Sequence, residues 1–252
     1  RLKAHSPQYM SVTFGAGGST MSHTPETVQR LRSEHGVAGV PHLTCVGGNR
    51  EEIRSLLKLY RALGCNRIVA LRGDMPSGTF DAGEFRHANE LVAFIREVSG
   101  DWFHIDVAAY PEMHPQAGSP QADLANFKRK VDAGANSAIT QYFFNADAYF
   151  RFVDDCDAMG VRIPIVPGIM PIASASKLGR FSDACGAEIP RWIRRRLEGY
   201  GDDVASIRAF GLDVVTDLCA KLIARGAPGL HFYTLNQASL TSTIWQRLGL
   251  RG

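Results

Sequence analysis

His104-Ile105-Asp106-Val107-Ala108-Ala109 is a short, almost wholly apolar run that ends in the polar loop Tyr110-Pro111-Glu112-Met113-His114-Pro115. A helical pattern follows from Pro120 to Ala133, Gly134 closes it, and Ser137-Ala138-Ile139-Thr140 opens a second apolar run. Runs this apolar fit strands buried on both faces, as in a parallel sheet, better than half-exposed antiparallel strands. The repeat is roughly 30 residues, the length of one strand-helix-strand unit.

The same alternation extends in both directions. Strands are predicted at Tyr9–Phe14, Val40–Thr44, Arg67–Leu71, Ile163–Val166 and Leu230–Tyr233. Helices are predicted from a cap at Thr24 with Pro25 in the first turn, and at Glu51–Leu63, Ala88–Val98, Ala146–Met159, Asp202–Arg225 and Ala238–Leu248, most followed by glycine. Extra helices are expected around Ser174–Cys185 and Pro190–Leu197. The expectation is an α/β fold, a (β/α)8 TIM barrel forming a single domain over residues 1–252, with seven strands in this sequence and the first missing. Arg1-Leu2-Lys3-Ala4-His5 reads like the tail of a preceding helix. The rival architecture is an open doubly wound sheet of seven strands.

Composition narrows the function. The 252 residues are 45% hydrophobic and 21% charged with net charge +3, values that suit a globular protein and give no case for nucleic-acid binding. The basic cluster Arg191, Arg194, Arg195, Arg196 reads as a solvated face or a subunit contact. Five cysteines without a Cys-x-x-Cys pair suggest neither a disulfide framework nor zinc, and favour a reduced, cytoplasmic setting. No apolar run is long enough to suggest a membrane span. P-loop, Gly-x-Ser-x-Gly and His-Glu-x-x-His motifs are absent. None of the six lysines falls in a predicted strand, which disfavours Schiff-base chemistry in a barrel.

In a barrel, chemistry gathers where strands end. The polar and glycine-rich segments fall there: Thr13-Phe14-Gly15-Ala16-Gly17-Gly18-Ser19, His42 with Thr44, Arg72-Gly73-Asp74, the 110–115 loop, Gln141-Tyr142-Phe143-Phe144, Pro167-Gly168-Ile169-Met170-Pro171 and Tyr233-Thr234-Leu235-Asn236. The glycine run could admit a phosphate or a planar ring, but Thr20 breaks any dinucleotide fingerprint. Arg72 and Asp74 are an anion contact and a site carboxylate, or else a surface ion pair beside a turn. A strand histidine such as His42 is ordinarily a satisfied core residue, whereas His114 suits an exposed role. Asp123, Asn126, Arg129 and Lys130 recur at helical spacing. They form a solvated face, or a clamp with cations on diphosphate and a carboxylate on ribose. Gln141 is a strand-end residue, or a planar amide able to read a pterin edge.

Taken in order over nearly the whole chain, these segments resemble the methylenetetrahydrofolate reductase family. Pro41-His42-Leu43-Thr44-Cys45, Ile68 through Asp74, Lys128 through Asn136 and His231 through Asn236 carry the likeness with those already quoted. The resemblance implies a flavoprotein oxidoreductase that reduces 5,10-methylenetetrahydrofolate to 5-methyltetrahydrofolate in one-carbon and methionine metabolism. FAD would carry hydride from NADH or NADPH in ping-pong order. The sequence does not choose between the two donors.

Residue by residue, the likeness implies FAD contacts at Thr13, Phe14, Ala16, His42, Arg72, Gly73, Asp74, Ala88, Ala108, Tyr110, His114, Ala117, Asp123, Asn126, Arg129 and Lys130. Asp74 would also hold folate and tune the flavin. Gln141, Lys177, Phe181 and Gln237 would meet the substrate, with Phe181 stacking on it. No metal is implied, and the family suggests a homo-oligomer.

Three departures stand out. The family's acid, the Glu of a Phe-Glu-Phe-Phe-Pro-Pro strand, has no counterpart here, and a general acid supplies about 10²–10⁴-fold. Lys177 stands where Gln is common, and Gln237 where Arg is common. The alternatives are a relative that oxidises methyltetrahydrofolate, or a non-catalytic folate- or flavin-binding module.

Overall fold

The computed structural model describes residues 1–14, 23–45, 48–73 and 84–250. Six strands follow one another in the sheet in chain order: β1 (Met10–Val12), β2 (Gly39–Thr44), β3 (Arg67–Leu71), β4 (His104–Ala109), β5 (Ser137–Thr140) and β6 (Ile165–Val166). β7 (Gly168–Ile169) pairs separately with β8 (His231–Phe232). The β1–β2, β2–β3, β3–β4 and β7–β8 pairings are parallel. A doubly wound sheet reverses its strand order at a switch point. This sheet does not, so its topology is that of a barrel.

Helices separate the strands: α1 (His23–His35), α2 (Arg50–Ala62), α3 (Ala88–Ser99), α4 (Pro120–Asp132), α5 (Ala146–Ala158), α6 (Ala175–Cys185), α7 (Arg191–Tyr200), α8 (Val204–Ala224) and α9 (Ala238–Arg247). Asn49 caps α2 in a full capping box with Glu52, which also donates its own N–H to the Asn49 side chain. Ser174 caps α6 through the N–H of Lys177.

Three details differ from the sequence reading. Thr24 is not a cap: it lies inside α1, buried, and its hydroxyl donates to the Thr13 carbonyl at 3.1 Å. The strand expected at Ile163–Val166 is shorter, and a further short strand follows it. Pro167, which has no N–H to give a ladder, separates the two. The run Tyr9–Phe14 narrows to three residues in β1.

The chain forms two compact units. The first lies within residues 6–108 and 127–138, the second within 1–5, 109–126 and 139–251. The core of the first includes Leu43, Ile68, Ala70, Leu91, Ile95, Ile105 and Val107, none of them measurably exposed. That of the second includes Ile169, Ile193, Val215, Leu222 and Ile244. Among the described residues no helix is long and apolar enough to cross a membrane.

Candidate functional site

In the first unit the registers sort side chains between the two faces of the sheet. His42 pairs with Val69, and Val69 with Asp106; Thr44 pairs with Leu71. Parallel partners point the same way and neighbours along a strand point oppositely. One face therefore carries His42, Thr44, Arg67, Val69, Leu71, His104, Asp106 and Ala108. The other carries the apolar residues Leu43, Ile68, Ala70, Ile105 and Val107, which are buried.

At the amino ends of the strands the polar face is closed by an ion network. Asp106, with no exposed surface, accepts two bonds from the Arg67 guanidinium at 2.6 and 2.8 Å and one from the Ser137 hydroxyl. Ser137 also meets His104 Nε2 at 2.7 Å, and the guanidinium lies over the Tyr9 ring at 4.4 Å. Burial, with the Asp106 charge adding to it, pushes the Tyr9 phenol up to about 12. Burial, with Arg67 adding to it, lowers His104.

At the carboxyl ends the same face opens. His42, Thr44, Leu71, Arg72, Gly73 and Ala108 are all half-buried. Thr13 is exposed just past β1, Phe14 is half-buried beside it, and Ala88 is the half-buried first residue of α3. Lys130 of α4 donates to the Ala108 carbonyl at 2.5 Å, which places its ammonium at the end of β4. Arg129 is exposed. Cys45, next to this rim, is raised to about 12 by burial, so it stays a thiol rather than a nucleophile. Ala16 and Asp74 lie outside the described residues.

In the second unit, the loop after β4 is tied to α4. The His114 N–H donates to the Asp123 carboxylate at 2.8 Å, and the Ala117 N–H to the His114 carbonyl at 2.9 Å. The Gln116 N–H donates to His114 Nδ1 at 3.0 Å, which leaves Nε2 as the protonated nitrogen of the neutral ring. The Tyr110 and His114 rings meet edge-on at 4.5 Å. Asn126 is exposed on the next turn.

A cleft open to solvent lies elsewhere in this unit. Met170, Pro171, Lys177, Phe181, Tyr233 and Gln237 form much of its wall. Of these, the Tyr233 ring packs against Gly168: a Cβ there would run into the Thr140 carbonyl and lie 2.6 Å from the ring. The Tyr233 hydroxyl donates to the same carbonyl at 2.8 Å, and the Gly168 N–H donates to the Thr140 hydroxyl at 2.9 Å. Phe181 leaves 43% of its surface exposed, which suits a ring awaiting a flat partner. Gln141 is not part of this cleft wall: its side-chain oxygen accepts the Tyr142 N–H at 3.0 Å, and its own N–H donates to the Ala109 carbonyl.

The family model for methylenetetrahydrofolate reductase matches residues 1–249. The chain belongs to the methylenetetrahydrofolate reductase family. It is 39% identical over 251 residues to the 5,10-methylenetetrahydrofolate reductase of Escherichia coli, covering 100% of this chain and 83% of that protein. It is 40% identical over 251 residues to the Salmonella typhimurium reductase, with the same coverage. The Arabidopsis thaliana protein named methylenetetrahydrofolate reductase (NADH) 1 is 39% identical over 263 residues, 99% of this chain and 44% of that one.

The fold recurs beyond the family. A Clostridium thermocellum protein described as binding two copies of 5-methyl-5,6,7,8-tetrahydrofolic acid superposes with a TM-score of 0.56. It shares 15% identity, with 96% of this chain and 95% of that chain covered. 2,3-dimethylmalate lyase superposes at 0.52 with 8% identity.

The structure brings Lys177, Phe181 and Gln237, expected from sequence as substrate contacts, to one cleft, and Tyr110, His114, Ala117 and Asp123, expected as FAD contacts, to one loop-helix junction. The sequence reading missed Ser174, Leu178 and Leu240 in the cleft wall, which read only as helix positions. It also missed the Arg67–Asp106–Ser137 network. Its one signal was a carboxylate inside an apolar strand.

Proposed function

We propose that the chain reduces 5,10-methylenetetrahydrofolate to 5-methyltetrahydrofolate, with FAD passing hydride from NADH or NADPH. The observation that carries this reading is the cleft of Lys177, Phe181 and Gln237, in a chain that matches reductases along its full length.

In the first unit Arg72, Arg129 and Lys130 are cations suited to phosphate. In the second, Asp123 and Asn126 suit hydroxyls, and the Tyr110–His114 pair offers an aromatic wall. FAD, when bound, would accept hydride and return it to carbon. The protein's own residues bind and orient. Lys177 offers an ammonium to a folate carboxylate, Gln237 an amide, and Phe181 a ring face for the flat parts of the substrate. His114, whose Nδ1 accepts the Gln116 N–H, keeps Nε2 as its ring donor. Gln141 is a planar amide at the end of β5, able to pair with a pterin edge once its bond to Tyr142 opens.

Steady-state rates in both directions test the reading. Faster formation of 5-methyltetrahydrofolate than its oxidation is expected. Faster oxidation would assign the chain to catabolism, and binding without turnover would make it a folate-binding module.

A further inference from the structure

Glu112 has no part in the chemistry above, yet it joins the two functional regions of the second unit. It lies in the loop that carries Tyr110 and His114. Its carboxylate accepts the N–H of Glu188, just beyond the C-terminal end of α6, at 2.8 Å. α6 carries Lys177 and Phe181 on its cleft side. Beside them on the same helix, the Ser182 hydroxyl meets that of Tyr142 at 2.9 Å.

The end of α6 is also seated on the loop by shape. Gly186 has φ of +75°, and a Cβ there would come within 3.1 Å of the Pro115 ring and 3.5 Å of the Met113 carbonyl. Met113 itself holds φ of +99°, a conformation a side chain adopts only when its surroundings enforce it. The loop and the helix end therefore brace each other.

We propose that Glu112 is a positioning residue for substrate: by holding the end of α6 against the 110–117 loop, it sets Lys177 and Phe181 in place to receive folate. The inference rests on the folate reading of the cleft. Burial, opposed by the Glu188 N–H and reinforced by the Glu188 charge, pushes the Glu112 carboxyl up to about 7. Tyr142, on the segment after β5, and Cys185, on α6, are the other titratable groups in this cluster. A protonated carboxyl still accepts a hydrogen bond through its carbonyl oxygen. The latch thus survives protonation, and glutamine should reproduce it.

The test compares wild type, Glu112→Ala and Glu112→Gln by amide hydrogen exchange over Ala175–Glu188 and by folate kinetics at one pH. Glu112→Ala is expected to lose about tenfold in protection of α6 and to raise KM for methylenetetrahydrofolate about tenfold, the scale of one hydrogen bond. Its kcat should change far less than its KM. Glu112→Gln is expected to match wild type in protection and in KM. If Glu112→Ala fails to fold, Glu112→Asp, one methylene too short to reach, takes its place.

Wild-type protection of α6 in the alanine variant, or a glutamine variant as impaired as alanine, would overturn the latch. Loss of α6 protection in a protein that never turns over folate would uphold the latch while removing the folate reading.

Discussion

The two ends of β2, β3 and β4 share one sheet face and treat polar groups in opposite ways. At the amino ends Asp106 is sealed, with Arg67 and Ser137 occupying its oxygens. At the carboxyl ends His42, Thr44, Arg72 and Ala108 are left half-buried, with Lys130 drawn toward the rim. The difference teaches where each kind of polar residue does its work. A sealed charge depends on its partners, so that removing one is costly, whereas an unsealed rim is available to a ligand.

The largest expected effect breaks the sealed end. Asp106→Ala leaves the Arg67 charge without its partner and should cost about 3–5 kcal/mol in chemical denaturation. Replacing Arg67 and Asp106 together by apolar residues should recover much of that loss. A mild effect of the single substitution would mean that the amino end is not what holds the strands.

Gly168→Ala comes next. The added Cβ meets the Thr140 carbonyl and the Tyr233 ring, so a loss of about 1–3 kcal/mol is expected. Because Tyr233 lines the cleft, folate affinity should fall with stability.

Arg129→Ala sharpens the contrast from the open end. The side chain is exposed, so the melting temperature should barely move, while flavin affinity measured by fluorescence should fall about tenfold. Equal losses in both would deny the rim its separate role.

A further test is a pH slope. The Glu112 carboxyl rises from 4.5 in its ordinary state to about 7 in the folded protein. Below 4.5 both states are protonated, and above about 7 both are ionised. Between these values the unfolded chain releases its proton first, so the contribution of Glu112 to stability falls as pH rises. Denaturation midpoints of Glu112→Gln should lack that part of the slope.

The strands β3, β4 and β5 fall on the residues read from sequence because each is a compact apolar run bounded by turn residues. β1 was overread, since Tyr9 and Phe14 are apolar but lie beyond the ladder. The helix ends followed glycine, as at Gly64, Gly100 and Gly134. The cleft was legible as residues, through likeness to a family, but not as a volume. Lys177 and Gln237 are 60 positions apart, and the β7–β8 pairing with the turn after Tyr233 helps bring them together. The Arg67–Asp106 bond was illegible for the same reason: the partners are 39 positions apart and meet through strand register. Glu112 was quoted as part of a loop motif, yet its partner is a backbone N–H 76 residues away that no side-chain pattern announces.

The most direct measurement is an anaerobic visible spectrum of the purified protein supplied with FAD, first with NADH and then with 5,10-methylenetetrahydrofolate. The account expects a bound flavin whose band bleaches with NADH and returns when the folate is added. A protein that binds no flavin, or whose bound flavin neither NADH nor NADPH bleaches, would contradict it.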